Sequence, residues 1–202
     1  MKKTILLILI TASFLFLYSC SKKNNITVEK SSEATSPVQT QQELILTPLQ
    51  NLFTKTGFQL PQKNLASIDF KLKDLTGKTV SLSSFKGSIV FLNFWATWCP
   101  PCRAELPSMQ KLYVKYKNRG LVILGVDLQE DENLVRDFVK KNGLTYPILL
   151  DSNSQVGQIY GARSIPTSYI IGKKGFILAR TVGGREWNKQ EIYDLFEELL
   201  KK

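Results

Sequence analysis

The stretch FWATWCPPCR, at residues 94–103, places two of the chain's three cysteines only three positions apart. It closes a run from Ile89 that is apolar except for Asn93, which predicts a strand buried on both faces. A helix is expected from about Pro100 to Asn118, so Cys99 would lie at its N-terminus. Unpaired backbone N–H groups and the helix dipole at that position favour a thiolate, which is the attacking form of a thiol.

Cys102 would lie in the first turn of the same helix, close enough to displace a partner from Cys99. Such a pair is suited to thiol–disulfide exchange. Three other interpretations fit less well. A zinc site needs about four ligands, whereas the predicted folded region has two cysteines and no histidine. A stabilising disulfide normally closes a long loop, and inert core thiols would not need the prolines and the tryptophan around them.

Length and composition limit the possible chemistry. A chain of 202 residues is long enough for one domain with appendages. The absence of histidine excludes Ser-His and Cys-His catalytic pairs and histidine metal sites. The net charge of +10 comes from scattered basic residues, with no run of five or more, which is typical of a solvated surface. We therefore expect no metal, no cofactor and no nucleic-acid partner.

The N-terminus has the features of an export signal. Two lysines precede the mostly apolar run Ile5–Tyr18, which is shorter than the roughly 20 residues that a membrane-spanning helix needs. The sequence LYSC that ends at Cys20 resembles a bacterial lipobox, although Tyr18 departs from the usual small or β-branched residue. The resemblance implies cleavage before Cys20 and lipidation of its thiol. An ordinary signal peptide cut nearby would instead leave Cys20 as an odd free thiol.

The chain therefore divides into four predicted parts. Residues 1–19 are a lipoprotein signal peptide, and the polar residues 20–42 are a flexible tether, because they offer too little apolar surface to fold. Residues 43–64 are a short helical lead-in, and residues 65–202 are the folded domain. This organisation predicts an extracytoplasmic protein that is lipid-anchored to the membrane.

The folded domain alternates strand and helix periodicities, which indicates an α/β fold with a mixed central sheet flanked by helices. One hairpin around Asp74–Lys78 opens the domain, and another around Gly172–Gly175 precedes the last helix. Between the hairpins, the pattern predicts strands at 89–95, 121–126 and 147–150, and helices at 100–118, 132–142 and 154–160.

Two motifs together resemble the thioredoxin superfamily: FWATWCPPC after an apolar strand, and Ile165-Pro166-Thr167 farther along the chain. The closer resemblance is to the TlpA/ResA group of membrane-anchored, extracytoplasmic thiol–disulfide oxidoreductases. It covers about residues 65–201, including the N-terminal β-hairpin and an inserted helix and strand at 132–150. The resemblance implies a thioredoxin-like fold and a redox-active disulfide between Cys99 and Cys102.

The resemblance also implies roles for individual residues. Cys99 would be the exposed nucleophile and Cys102 the resolving thiol. Pro166 would be a cis-proline facing the pair, since X–Pro bonds are almost the only peptide bonds found in cis; an ordinary trans turn is the alternative. The Ile165 backbone would present hydrogen-bonding groups to an extended substrate. The rest of the substrate-docking surface would be formed by Trp98, Pro100 and Pro101.

Proton transfer must also be assigned. Asn93 stands where plain thioredoxins carry a buried aspartate that serves the second cysteine, and an amide cannot take up a proton. Glu105 lies three residues after Cys102 and therefore on the same helix face. ResA-like proteins have a glutamate there that tunes the active site. We therefore assign Glu105 the acid–base role, with a solvated helix glutamate as the alternative.

The function that the resemblance implies is reduction of disulfides in exported proteins, with apocytochrome c as a client type. A membrane thiol-reducing partner would supply the electrons, and the protein is expected to be a monomer. An oxidase that donates its disulfide is the first alternative. A peroxiredoxin-like peroxidase shares the fold, but Cys99 lacks the preceding proline-and-threonine loop of such enzymes. A lipoprotein that only binds its partners is the third alternative.

Overall fold

A computed structural model describes residues 47–201 of the chain. The predicted signal peptide, Cys20 and the tether lie outside the described residues, so their assignment stays a prediction. Among the described helices, none combines the length and the hydropathy needed to cross a membrane.

Eight strands and five α-helices make up the described chain. In chain order they are α1 (Pro48–Lys55), β1 (Leu65–Ala66), β2 (Lys71–Asp74), β3 (Thr79–Ser81), β4 (Ile89–Trp95), α2 (Pro100–Tyr116), β5 (Leu121–Leu128), α3 (Glu132–Lys141), β6 (Ile148–Asp151), α4 (Gln155–Ile159), β7 (Thr167–Ile171), β8 (Phe176–Val182) and α5 (Gln190–Lys201). Short 3-10 helices follow β3 and α2. The strands form one mixed sheet in the order β1-β8-β7-β4-β5-β6-β2-β3.

The predicted α/β architecture is confirmed. Strand β4 has the predicted bounds and is buried along its whole length, as expected for a central strand whose two faces are both covered. It pairs in parallel with β5 and antiparallel with β7. Strands β2 and β3 form the predicted hairpin, which extends the sheet beyond β6. The sequence pattern did not predict β1, a two-residue strand on the opposite edge that pairs with β8.

Helix α1 is part of the folded core. Thr47 and Gln50 form a reciprocal capping box at its start, which satisfies two N–H groups that the first turn leaves unpaired. Phe53 is buried and meets the ring of Phe58 edge to face. Phe58 in turn lies beside Trp187, with ring centroids 6.0 Å apart. The predicted lead-in therefore packs against Trp187 through Phe58.

The residues singled out in the sequence lie at one end of the central strands. The parallel strands β4, β5 and β6 end there at Trp95, Leu128 and Asp151, and the antiparallel β7 begins there at Thr167. Three segments that are distant in sequence therefore meet at this end of the sheet: the CPPC turn, the loop after β5 and the Ile165–Pro166 turn.

Candidate active site

The two cysteines of the CPPC motif are joined by a disulfide at the start of α2, with their Cα atoms 5.3 Å apart. Cys99 is the N-cap of the helix, and its Sγ accepts a hydrogen bond from the backbone N–H of Cys102 at 3.3 Å. The prolines at positions 100 and 101 suit the first helical turn, where a missing N–H leaves no helical bond unmade. The sulfur of Cys99 therefore lies where the helix terminus stabilises negative charge.

Both sulfurs are covered in this disulfide form, which corrects the expectation of an exposed Cys99. Cys99 is only 3% exposed, and Cys102 is fully buried. The carbonyl oxygen of Ile165 lies 3.7 Å from the Sγ of Cys99. The turn that contains Ile165 is packed over the disulfide, and the sequence pattern could not show this cover. Trp98 is 66% exposed and is the large apolar side chain that stands beside the pair.

The Ile165–Pro166 peptide bond is cis, as predicted. Its turn is held from two sides: the Oγ1 of Thr167 donates to the carbonyl of Ser164 at 2.6 Å, and the N–H of Gly183 donates to the carbonyl of Pro166 at 2.8 Å. Pro166 is buried, whereas Ile165 is half-buried at the surface. This turn and the exposed Pro100 and Pro101 form the immediate surroundings of the disulfide.

Glu105 is a buried carboxyl group rather than a solvated helix residue, since it is only 1% exposed. Oε2 accepts hydrogen bonds from the indole N–H of Trp187 at 3.0 Å and from the backbone N–H of Arg185 at 3.3 Å. Oε1 accepts a bond from the amide of Asn93 at 2.9 Å. Burial raises the pKa of Glu105 to about 7, against the opposing effect of these donors and of the Arg185 charge. The group can therefore exchange a proton near neutral pH.

Asn93 supplies a hydrogen-bond donor at the position where a plain thioredoxin would have an acid. Its Nδ2 also donates to the hydroxyl of Ser168 at 2.9 Å, which is the residue paired with Asn93 across β4 and β7. The amide thus orients the Glu105 carboxyl from the sheet side. Sequence reasoning identified both Asn93 and Glu105 but could not predict that they are bonded to each other.

The loop from Gly183 to Trp187 closes the other side of the carboxyl group. A side chain at Gly184 would place its Cβ 2.6 Å from the carbonyl oxygen of Pro101, so only glycine allows this approach. A groove of about 290 Å³ between this loop and the start of α2 reaches Glu105. Sequence reasoning missed Arg185 and Trp187, because nothing local in the sequence links them to the CPPC motif.

Glu130 contacts Thr97, the residue two positions before Cys99. Its carboxyl oxygens accept hydrogen bonds from the backbone N–H and the Oγ1 of Thr97, both at 2.5 Å. Asp127, three residues earlier on β5, is only 1% exposed. Neither of these acidic residues was predicted from the sequence. No group of three or more potential ligands is placed to hold a metal ion within residues 47–201.

Comparisons with known proteins agree with this geometry. The sequence model of the AhpC/TSA family matches residues 64–180. The thiol–disulfide oxidoreductase ResA of Bacillus thuringiensis is 41% identical over 134 residues, which cover 66% of this chain and 74% of the relative. The chain belongs to the ResA-type thiol–disulfide oxidoreductases of the AhpC/TSA family.

Solved structures of oxidoreductases related to this family share its thioredoxin-like fold. StoA from Bacillus subtilis is 32% identical, with a TM-score of 0.55 over 63% of this chain and 96% of its own. A thiol:disulfide interchange protein of the thioredoxin family from Chlorobium tepidum is 27% identical, with a TM-score of 0.60 over 69% of this chain and 99% of its own. The protein is therefore a thiol–disulfide oxidoreductase whose cysteine pair follows a central strand of a thioredoxin-like sheet.

Proposed function

We propose that this ResA-type enzyme reduces disulfides of exported proteins through Cys99 and Cys102, outside the cytoplasm and anchored by a lipid on Cys20. The observation that carries the proposal is the disulfide at the N-terminus of α2, with the buried carboxyl group of Glu105 three residues after Cys102 on the same helix. The first part of this arrangement stabilises a thiolate, and the second can exchange a proton near neutral pH.

The reaction begins with both cysteines reduced. The Cys99 thiolate attacks one sulfur of a client disulfide, the client S–S bond breaks, and the client's other sulfur leaves as a thiolate that takes up a proton. The Cys102 thiol gives its proton to the Glu105 carboxylate and attacks the sulfur of Cys99. This step breaks the bond between Cys99 and the client, forms the Cys99–Cys102 disulfide and releases the second client sulfur as a thiolate that takes up a proton, so two electrons pass to the client.

The surroundings of the disulfide suit an extended client segment. Beside the CPPC turn, a groove of about 490 Å³ runs between the exposed Trp98 and Ile165, with Leu128 and Arg163 in its walls. Trp98 offers an aromatic surface to the client, and the Ile165 backbone offers hydrogen-bonding groups next to the reacting sulfur. Apocytochrome c is the client type we propose, and a membrane thiol-reducing partner returns the enzyme to its dithiol form.

The direction of the reaction is tested by the reduction potential of the Cys99–Cys102 pair, measured against glutathione or dithiothreitol buffers. A reductase of exported proteins should have a potential nearer to that of thioredoxin, about −270 mV, than to that of the oxidant DsbA, about −120 mV. A value close to the DsbA end would contradict the proposed direction and favour the disulfide-donating oxidase.

The lipid anchor is tested by mass spectrometry of the protein extracted from membranes. We expect a mature chain that begins at Cys20 and carries acyl groups. The Cys20→Ala variant, which lacks the thiol to be lipidated, should carry no acyl groups. An unmodified chain that begins elsewhere would contradict the anchor while leaving the redox proposal untouched.

A further inference from the structure

A second acidic side chain, Glu130, contacts the residues that lead into the CPPC turn. The Glu130 carboxylate binds both the N–H and the hydroxyl of Thr97 at 2.5 Å. Two hydrogen bonds from one residue to the two oxygens of a carboxylate fix both its position and its orientation. Because Thr97 is followed by Trp98 and Cys99, this contact positions the turn from which the attacking thiol is presented.

Asp127 is three residues before Glu130, near the end of β5, where it pairs in register with Trp95 of β4. Both carboxyl oxygens are buried, and neither has a hydrogen-bond partner within the described residues. The charged groups that face it are the carboxyl groups of Glu130 and Asp151. A buried carboxylate beside two others is costly, so the neutral acid is favoured. Burial and these neighbours raise the pKa of Asp127 to about 9.

We propose that Asp127 is a positioning residue of the redox site, which keeps the Glu130 carboxylate against Thr97 while it is neutral and loosens that contact when it ionises. In the neutral form, Asp127 places no negative charge beside Glu130, and the carboxylate of Glu130 accepts both bonds from Thr97. When Asp127 loses its proton to solvent, two adjacent carboxylates repel each other. Glu130 then moves from Thr97, and the Trp98–Cys99 turn loses its support.

This inference deepens the proposed function, because it rests on Cys99 being the attacking thiol. It predicts that the geometry of the turn is independent of pH around neutrality and changes in the alkaline range. The change acts through Thr97 and is therefore distinct from titration of Glu105, whose carboxyl group is bonded to Asn93 and Trp187 and not to Thr97.

The test follows the methyl group of Thr97 by NMR in the full-length protein, labelled at threonine methyl positions, from pH 6 to pH 10.5. A methyl group does not exchange with solvent, so it can be observed throughout this range. In the oxidised wild type we expect its resonance to titrate with a midpoint near pH 9. Asp127→Asn keeps the size of the side chain and removes its ionisation, so the titration should be lost. The matched control, Asp137→Asn on the exposed face of α3, should retain it.

A kinetic measurement keeps the inference independent of the proposed client. The rate at which the reduced protein cleaves a small aromatic disulfide is compared between wild type and Asp127→Asn across the same pH range. We expect the ratio of the two rates to be constant below pH 8 and to fall above pH 9. If Asp127→Asn does not fold, Glu130→Gln gives the second readout, because it should also abolish the Thr97 titration.

Three results would overturn the inference: a Thr97 methyl resonance that does not titrate in the wild type, one that titrates equally in Asp127→Asn, or a rate ratio that stays constant from pH 6 to pH 10.5. A protein that shows the titration but does not cleave disulfides would leave Asp127 assigned and contradict the proposed function instead. If both proteins cleave disulfides and the ratio of their rates does not change with pH, the proposed function stands and the role of Asp127 is contradicted.

Discussion

At the scale of single residues, the proposed proton transfer depends on Glu105, a buried carboxyl group that accepts hydrogen bonds from three donors. Those donors come from β4 and from the loop before α5. They favour the charged form, yet burial has the larger effect and raises the pKa to about 7. Within the redox site, the residue is thus poised between its two protonation states under ordinary conditions.

The raised pKa has a consequence for stability. Because folded Glu105 binds its proton more tightly than the unfolded chain does, its contribution to stability is fully present below the ordinary pKa of 4.5 and is lost as pH rises to about 7. The shift corresponds to roughly 3 kcal/mol. In Glu105→Gln this contribution cannot vary with pH. We therefore expect the oxidised wild type to lose stability relative to the variant between pH 4.5 and pH 8.

Urea unfolding of both proteins at several pH values measures this difference. The comparison between them removes the titration of all other groups, provided that both unfold in one step. If the difference in unfolding free energy between wild type and Glu105→Gln is the same at pH 4.5 and pH 8, then Glu105 does not have the raised pKa on which its acid–base role depends.

At the scale of elements, the site is made by a loop that packs on a helix start. The segment from Gly183 to Trp187 delivers two of the three donors to Glu105, and it does so because Gly184 lies against the backbone of Pro101. The contact is with a carbonyl group, which cannot rotate away as a side chain could. The CPPC turn and the Glu105 carboxyl group are therefore coupled through one close approach.

Gly184→Ala should break this coupling. The added methyl group would lie 2.6 Å from the Pro101 oxygen, so the loop must move, and we expect a loss of about 1–3 kcal/mol in stability. Disulfide cleavage by the reduced protein should slow as well, because the donors to Glu105 move with the loop. Thermal unfolding and a disulfide-cleavage assay measure the two effects.

A matched control is available at Gly172, which follows the end of β7 that is remote from the cysteine pair. In Gly172→Ala the new methyl group meets only the side chain of Leu178, at 3.2 Å, which can shift. We expect a small change in stability and a normal cleavage rate. Equal effects of the two substitutions would mean that the loop from Gly183 to Trp187 has no particular role in the site.

At the scale of the whole molecule, local patterns predicted the order of strands and helices and the place of the cysteine pair. The apolar run that became β4 and the helix that begins after Cys99 are both encoded by neighbouring residues. The contacts that complete the site are not local. Glu105 is 80 and 82 residues from Arg185 and Trp187 in sequence, and no periodicity reports such a distance.

Burial was the other property that the sequence could not give. The expectation of an exposed Cys99 was wrong for the disulfide form, because the turn at Ile165 covers the sulfur. In the sequence, Asp127 looks like an ordinary polar residue near the end of a strand, and only its burial close to other carboxyl groups makes it unusual. Both cases depend on elements that meet at one end of the central strands after the chain has folded.

The central claim, that Cys99 attacks and Cys102 resolves, is tested most directly by trapping the mixed disulfide. Reduced Cys102→Ser and Cys99→Ser proteins, each also carrying Cys20→Ala, are incubated with an oxidised client peptide and analysed by mass spectrometry without reductant. We expect a one-to-one covalent adduct at Cys99 in the Cys102→Ser protein, and little or no adduct in Cys99→Ser, because only Cys99 is the N-cap of α2, where a thiolate is stabilised. Adducts of equal yield in both variants, or none in either while the wild type reduces the same peptide, would contradict the central claim.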